Sequence, residues 1–210
     1  MPDSQLIHVI DDDDAVRHSL AFLLATNGFD VKQHDSAAAF LEAGIPAKAG
    51  CIITDVRMPG LSGVELLEKL DHAGCRVPVI VVTGHADVPL AVEAMKLGAS
   101  DFLEKPFDDE ALLAAIRTCL SRAQENQKVD AVREDVEERI ATLSHREHQV
   151  LEYLVAGHAN KTIAYDLGIS PRTVEVYRAN VMTKMKAASL SELVRMALLA
   201  GIGTDVAPKG

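Results

Sequence analysis

The sequence predicts an α/β domain built on a doubly wound five-stranded parallel sheet, followed by a smaller all-α helix-turn-helix domain. Three observations carry this prediction. Across residues 1–120, short Val/Ile-rich runs alternate five times with segments of helical spacing, the pattern of a parallel sheet with helices on both faces. Beyond residue 120 no strand pattern recurs. The charge balance also changes: residues 1–120 carry 9 Lys and Arg against 19 Asp and Glu, whereas residues 144–210 carry 8 against 6. A net charge of −10 thus conceals a mildly basic rear half, and two domains with different partners are expected.

The elements of the first half follow in order. Leu6 to Ile10 is an apolar strand that runs into Asp11, Asp12, Asp13 and Asp14. Ala15 to Thr26 places Val16, Leu20, Leu23 and Leu24 at helical spacing and stops at Asn27-Gly28, a C-terminal signal. Asp30–His34 and Ala37–Ala43 repeat the strand–helix pair. Cys51–Thr54 is a strand, and Gly63–Leu70 is a helix with Val64, Leu67 and Leu70 on one stripe. Pro78–Val82, Val88–Leu97 ended by Gly98, Asp101–Glu104 and Asp109–Leu120 complete the series.

Composition narrows the class. A chain of 210 residues, 48 % hydrophobic and 25 % charged, can bury a sizeable core and reads as an ordinary soluble protein. Cys51, Cys75 and Cys119 are far apart and lack metal-ligand spacing, so neither a disulfide framework nor a zinc site is expected, and a reducing cytoplasm fits. The opening MPDSQLIHVIDDDD meets four aspartates before any long apolar run, and no later stretch approaches the ~18 apolar residues of a membrane span. Export and membrane insertion are therefore not expected.

In a parallel sheet the carboxyl ends of all strands share one edge, and ligands bind there. That edge collects Asp11 and Asp12 after the first strand, Asp55 after the third, Thr83 after the fourth and Lys105 after the fifth. Clustered carboxylates repel one another unless a cation sits among them, and hard oxygen ligands suit Mg2+. A magnesium-phosphoryl pocket follows, with Lys105 as ion-pair partner of Asp55 or its phosphoryl group and Thr83 as a hydrogen-bond donor to phosphoryl oxygen. Acids that merely favour a helix dipole would leave Thr83 and Lys105 without a role. His85 is read as a solvated loop side chain beside this pocket, and His8, inside the first strand, as a packing residue.

These residues resemble the receiver domains of two-component response regulators over roughly residues 5–122: Asp11-Asp12, Asp55 within TDVRMPGLSG, Thr83-Gly84 and Lys105-Pro106-Phe107, in order and at the usual separations. The resemblance implies a flavodoxin-like strand order and a phosphoryl group accepted by Asp55 from a histidine of a sensor histidine kinase. It also implies Mg2+ held by Asp11, Asp12, Asp55 and the backbone carbonyl of Arg57, a switch formed by Thr83 and Phe102, and a cis Lys105-Pro106 bond. A protein of this kind is not a conventional enzyme; it catalyses only its own aspartyl phosphorylation and dephosphorylation.

Ser121 to Arg139 has no Pro or Gly and reads as a polar helix or helical linker with Val129, Val132 and Val136 on a thin stripe. Leu143-Ser144-His145-Arg146-Glu147 is a capped helix start, with Val150, Leu151 and Leu154 buried. Lys161–Leu167, the turn Gly168-Ile169-Ser170 and a helix opened by Pro171 have helix-turn-helix spacing. On the second of these helices Val174, Val181 and Met185 share one face. Arg172, Val176, Ala179 and Thr183 lie opposite, flanked by Glu175 and Asn180, with Thr173 beside the cap. Small side chains there allow close approach to bases, while Lys161, Arg178, Lys184 and Lys186 are candidates for phosphates. The text of these segments resembles the LuxR-type DNA-binding domain over residues 143–202. The pair of resemblances implies a transcription activator of the kind that regulates nitrogen fixation, with double-stranded promoter DNA and RNA polymerase as partners and homodimerisation on phosphorylation. The expected division is 1–122 receiver, 123–142 helical linker and 143–210 DNA-binding domain. Two rivals stand beside this reading: a magnesium phosphatase working through an aspartyl-phosphate, and a receiver whose rear half only contacts proteins.

Overall fold

The structure, a computed structural model, describes residues 5–45, 50–84 and 88–203. Five strands, β1 (Leu6–Ile10), β2 (Asp30–His34), β3 (Cys51–Asp55), β4 (Val79–Thr83) and β5 (Asp101–Glu104), form one all-parallel sheet in the order β2-β1-β3-β4-β5. Parallel neighbours need a crossover, and helices α1 (Asp14–Thr26), α2 (Ala37–Glu42), α3 (Gly63–His72) and α4 (Val88–Lys96) supply the four, while the start of α5 (Asp109–Ala141), after the last strand, packs back on the sheet. Alternation along the strands divides the apolar side chains between two faces. Ile7, Val9, Ile53, Ile80 and Val82 pack with Leu20 and Leu24 of α1 and with Leu112, Leu113 and Ile116 of α5. Ile10, Ile52, Val79 and Val81 pack on the other face with Phe40 of α2, Leu66, Leu67 and Leu70 of α3 and Ala94 of α4.

Sequence signals explain most element ends. Asp13 caps α1 and accepts from the N–H groups of Ala15 and Val16. Ser62 and Glu65 form a reciprocal capping box on α3. Gly28, with φ 86°, takes the left-handed conformation just after α1 as Asn27-Gly28 predicts.

The expected helix Asp109–Leu120 and the helical linker after it form one uninterrupted helix, because neither Pro nor Gly occurs in that stretch to end it. Contacts divide the chain into two compact units between Glu125 and Asn126, within α5. Val136, on the stripe noted in the sequence, is 1 % exposed in the second core, whereas Val129 and Val132 remain half exposed. That core joins Val136 to α6 (His145–Val155), α7 (Asn160–Leu167), α8 (Pro171–Met185) and α9 (Leu190–Leu199) through Val150, Leu151, Ile163, Val174, Val181, Met185, Leu193 and Ala197. Helix α9 was not anticipated, although Ser189, which accepts from the N–H of Glu192, and the spacing of Leu190, Leu193 and Ala197 mark it. Among the described residues no helix is long and apolar enough to cross a membrane. His85 lies outside the described residues.

Candidate functional site: an acidic pocket at the sheet edge and a helix-turn-helix surface

The strand order reverses between β1 and β3, so the crevice beyond their carboxyl ends is where such a sheet binds ligands. Ile10 pairs with Thr54, which brings the residues that follow them, Asp11 and Asp55, side by side. Carboxylate oxygens of Asp11, Asp12 and Asp55 all lie within 4.8 Å of one another. Lys105, just after β5, reaches back with its Nζ 2.7 Å from Asp11 Oδ2 and 2.9 Å from Asp55 Oδ2. The expected Lys105–Asp55 ion pair is therefore present, and Lys105 bridges a second acid as well.

Burial grades the acids. Asp11 is 1 % exposed, Asp55 half-buried and Asp12 open to solvent. Burial pushes the Asp11 carboxyl above its ordinary pKa against the opposing hydrogen bond from Lys105. Burial also works against the Lys105 ammonium, but hydrogen bonds to Asp11 and Asp55 and their negative charges outweigh it and raise its pKa. Three oxygen donors converging from two strands, one open to water, fit a hard divalent cation that keeps part of its water shell.

The neighbouring parts are placed by the backbone. Arg57, whose carbonyl belongs to the expected ligand set, donates its N–H to Asp55 Oδ1 at 3.3 Å. Thr83 is fully buried at the end of β4, and its carbonyl accepts from the Lys105 N–H at 2.7 Å. Phe102 is half-buried against the α2–α4 side of the sheet. The Lys105-Pro106 bond is cis.

Gly63, at the start of α3, donates its N–H to the Val56 carbonyl at 2.9 Å. A Cβ there would lie 2.2 Å from the Asp55 carbonyl oxygen. Only glycine lets the helix approach the loop after Asp55 this closely. Gly63→Ala should cost about 1–3 kcal/mol through overpacking and displace Asp55. An unchanged melting temperature would refute this role.

The sequence reading missed Arg17 and Asp13 in this region. Arg17 Nη1 donates to the Asp11 carbonyl at 2.7 Å and Nη2 pairs with Asp14, while the Asp13 N–H donates to Asp11 Oδ1 at 2.9 Å. A cation one turn into a helix that follows four acids was the available signal.

In the second unit Ser170 caps α8, with Pro171 at its first position. Val174, Val181 and Met185 are fully buried, and Arg172, Glu175, Val176, Ala179, Asn180 and Thr183 are exposed, so the two faces of the helix divide as the spacing predicts. The Thr173 hydroxyl is 2.8 Å from Ser170 Oγ, and the Thr183 hydroxyl donates to the Ala179 carbonyl at 2.9 Å. Lys161 is exposed in the first turn of α7, and Lys186 is exposed just after α8. Arg178 Nη1 donates to Asn160 Oδ1 at 2.6 Å, which ties the two helices of the motif. Lys184 donates to Glu147 Oε2 at 2.6 Å and to the Thr142 carbonyl at 3.1 Å. That hydrogen bond, with one from the Ser144 N–H, lowers the Glu147 pKa to about 2. Lys184 thus holds α8 to the start of α6 and has one N–H left for another acceptor.

Residues 7–117 match the response regulator receiver domain family, and residues 141–197 match the bacterial regulatory proteins of the luxR family. The transcriptional regulatory protein FixJ of Azorhizobium caulinodans is 70 % identical over 202 residues, covering 96 % of this chain and 96 % of that protein. FixJ of Rhizobium meliloti is 56 % identical over 94 % of this chain and 97 % of its own length. Among solved structures, the response regulator StyR aligns with a TM-score of 0.80 at 41 % identity, over 93 % of this chain and 98 % of its own. Full-length FixJ from B. japonicum aligns with a TM-score of 0.58 at 56 % identity, over 94 % and 97 %.

Proposed function

Because the chain belongs to the two-component response regulators of the FixJ type, a receiver domain followed by a luxR-family DNA-binding domain, we propose that Asp55 is the phosphoacceptor that controls its binding to promoter DNA. The convergence of Asp11, Asp12 and Asp55 on one side of Lys105 carries this reading. A carboxylate oxygen of Asp55 attacks the phosphorus of a phosphohistidine on a sensor kinase. The O–P bond forms as the N–P bond breaks, and the departing imidazole takes a proton from water. Mg2+ held by Asp11, Asp12, Asp55 and the Arg57 carbonyl would neutralise charge on the transferred oxygens. Lys105, kept cationic by its two carboxylate partners, holds Asp55 in place and can follow its negative charge onto the phosphoryl group. The chain catalyses only this transfer and the later hydrolysis.

Phosphorylation adds roughly −1.5 to −2 charge at Asp55. Thr83 and Lys105, joined through the Thr83 carbonyl, shift toward the new oxygens, and Phe102 turns into the space vacated. The α4–β5 face changes shape and two receivers pair through it. Val88, Val92 and Met95 of α4, 77 %, 46 % and 49 % exposed, supply its apolar surface. Full conversion from minor to dominant dimer needs ~5.5 kcal/mol of differential stabilisation. Pairing sets two recognition helices on one promoter, where Arg172, Thr173, Glu175, Val176, Ala179, Asn180 and Thr183 face the groove and Lys161, Arg178, Lys184 and Lys186 meet phosphates. The bound dimer activates transcription by engaging RNA polymerase. Residues 1–122 act as the receiver, 143–210 as the DNA-binding part and 123–142 as their helical link, in the cytoplasm.

Sedimentation of the full chain with and without a phosphodonor tests the switch. The phosphorylated form should dimerise more tightly, and Thr83→Ala should take the phosphoryl group without that gain. Equal dimer fractions would exclude control by receiver pairing. Selection from random DNA tests the surface: Arg178→Ala should weaken all sequences alike and reduce the salt slope by about one, whereas Val176→Lys should change the sequence chosen. Uniform loss in both would place the wrong face in the groove.

A further inference from the structure

Asp11 is held at every polar group. Its N–H donates to the His34 carbonyl at 3.2 Å, its carboxylate accepts from Lys105 and from the Asp13 N–H, and its carbonyl accepts from Arg17 at 2.7 Å. Asp12 differs. It is exposed, and among the described residues its carboxylate has no side-chain partner, yet its oxygen lies within 4.8 Å of those of Asp11 and Asp55. The direction in which the Asp12 side chain leaves the backbone has to be set from the main chain.

The Asp11 carbonyl and the Asp12 N–H belong to one planar peptide unit. A hydrogen bond that fixes that carbonyl fixes the tilt of the plane, and the Asp13 N–H, held by Asp11 Oδ1 at 2.9 Å, fixes the peptide on the other side of Asp12, so that the two together set its Cα–Cβ direction. Arg17 is suited to this. Its side chain is 12 % exposed, it lies on the first turn of α1, and its fork divides between the Asp11 carbonyl and the Asp14 carboxylate. Asp14 also sits on α1, so the guanidinium is anchored to the helix while it grips the loop.

We propose that Arg17 is a positioning residue for the Mg2+ site: by locking the Asp11–Asp12 peptide plane it aims the Asp12 carboxylate at the cation. This rests on the reading of Asp11, Asp12 and Asp55 as the metal ligands. A purely electrostatic role would act in the opposite sense, because a cation near three carboxylates competes with Mg2+. Removing its charge would then tighten metal binding. Groups that orient ligands without touching the metal typically matter by tenfold or more in affinity.

Calorimetric titration of Mg2+ into the unphosphorylated full-length protein decides between these. Arg17→Lys keeps the charge but has no fork to span both partners, and Arg17→Ala loses both. Each should weaken Mg2+ binding about tenfold, while the melting temperature measured without metal changes little in Arg17→Lys. Half-saturating Mg2+ for labelling by a small phosphodonor should rise in parallel, with the labelling rate restored at saturating Mg2+. Tighter binding in Arg17→Ala with no change in Arg17→Lys would overturn the proposal, as would unchanged affinity in both. If Arg17→Ala fails to fold, Arg17→Lys alone decides. Asp12→Asn is the reference: if it leaves Mg2+ affinity unaltered, the ligand assignment itself fails, whereas weakening in Asp12→Asn but not in Arg17→Lys refutes only the role of Arg17.

Discussion

Asp55→Asn should give a folded protein that accepts no phosphoryl group from a small-molecule phosphodonor, with the mass of the labelled chain as the readout. The substitution is nearly isosteric, so β3 and its pairing with β1 and β4 have no steric reason to change. An amide is not a nucleophile toward phosphorus, and no other acid in the pocket is an equivalent replacement. Asp11 is buried and tied up by Lys105 and the Asp13 N–H, while Asp12 is exposed and lacks the Lys105 contact that holds Asp55. Lys105 keeps its 2.7 Å partner in Asp11, and one of three mutually repelling charges is gone, so without metal the variant should melt no lower than the parent. Asp12→Asn should slow labelling without abolishing it. A fully labelled Asp55→Asn protein would move the phosphoacceptor elsewhere.

The second large effect should appear on mild acidification. His8 and His34 occupy the same face of neighbouring strands, stacked with ring centroids 5.2 Å apart, His8 Nδ1 3.0 Å from His34 Nε2, and Phe40 edge-on to both. His8 Nε2 is buried without a partner. A donor N–H stranded there would cost more than a bare acceptor, which favours the tautomer in which His8 Nδ1 donates to His34 Nε2. Burial, with the nearby positive charge of Lys32 and the second histidine, lowers the His8 pKa from 6.5 to about 4. His34 is lowered as well, by burial first and Lys32 next. Between pH 6.5 and 4 the unfolded chain therefore binds a proton that the folded chain refuses. Stability is full above pH 6.5 and falls as pH drops toward 4, by about 3 kcal/mol at most from His8 alone. All three tyrosines lie in the second unit, so hydrogen exchange of buried β1 and β3 amides is the suitable probe. His8→Phe should flatten the profile between pH 6.5 and 4.5 while costing about 1 kcal/mol at neutral pH for the lost hydrogen bond. Parallel profiles in parent and variant would dismiss the histidine pair as the cause.

Much of the architecture follows from local features. The alternation of apolar runs, together with Asn27-Gly28, Gly98 and the Ser-x-x-Glu boxes at Ser62 and Ser144, specifies five strands, their helices and the sheet edge that collects acids. Strands of a parallel sheet all end on one side, so strand order in the sequence is enough to group Asp11, Asp12, Asp55, Thr83 and Lys105. The division of α8 into a buried face and an exposed one rests on a period of 3.6 residues and is equally local. Boundaries were less legible where no punctuation exists: the polar stretch from Ser121 to Arg139 offers no stop, and that Val136 alone of its valines enters a core is decided by what packs against it.

Local order in the chain dictates which side chains stand at the ends and on the faces of each element, because chain geometry repeats every two or 3.6 residues and carries those positions with it. Which of them meet is settled by the packing of the elements. His8 finds His34 because β2 pairs with β1 in one register; a slip by one residue would turn His34 to the opposite face. Gly63 is required because α3 presses on the Asp55 carbonyl, a distance set by the helices and strands around it. Lys184, a candidate for DNA phosphates by its place on α8, is drawn to Glu147, 37 positions away in the chain. Arg17 closes over the Asp11 carbonyl because the start of α1 folds back toward the end of β1. Contacts across such separations depend on register, helix placement and side-chain reach acting together, and no local period encodes that combination.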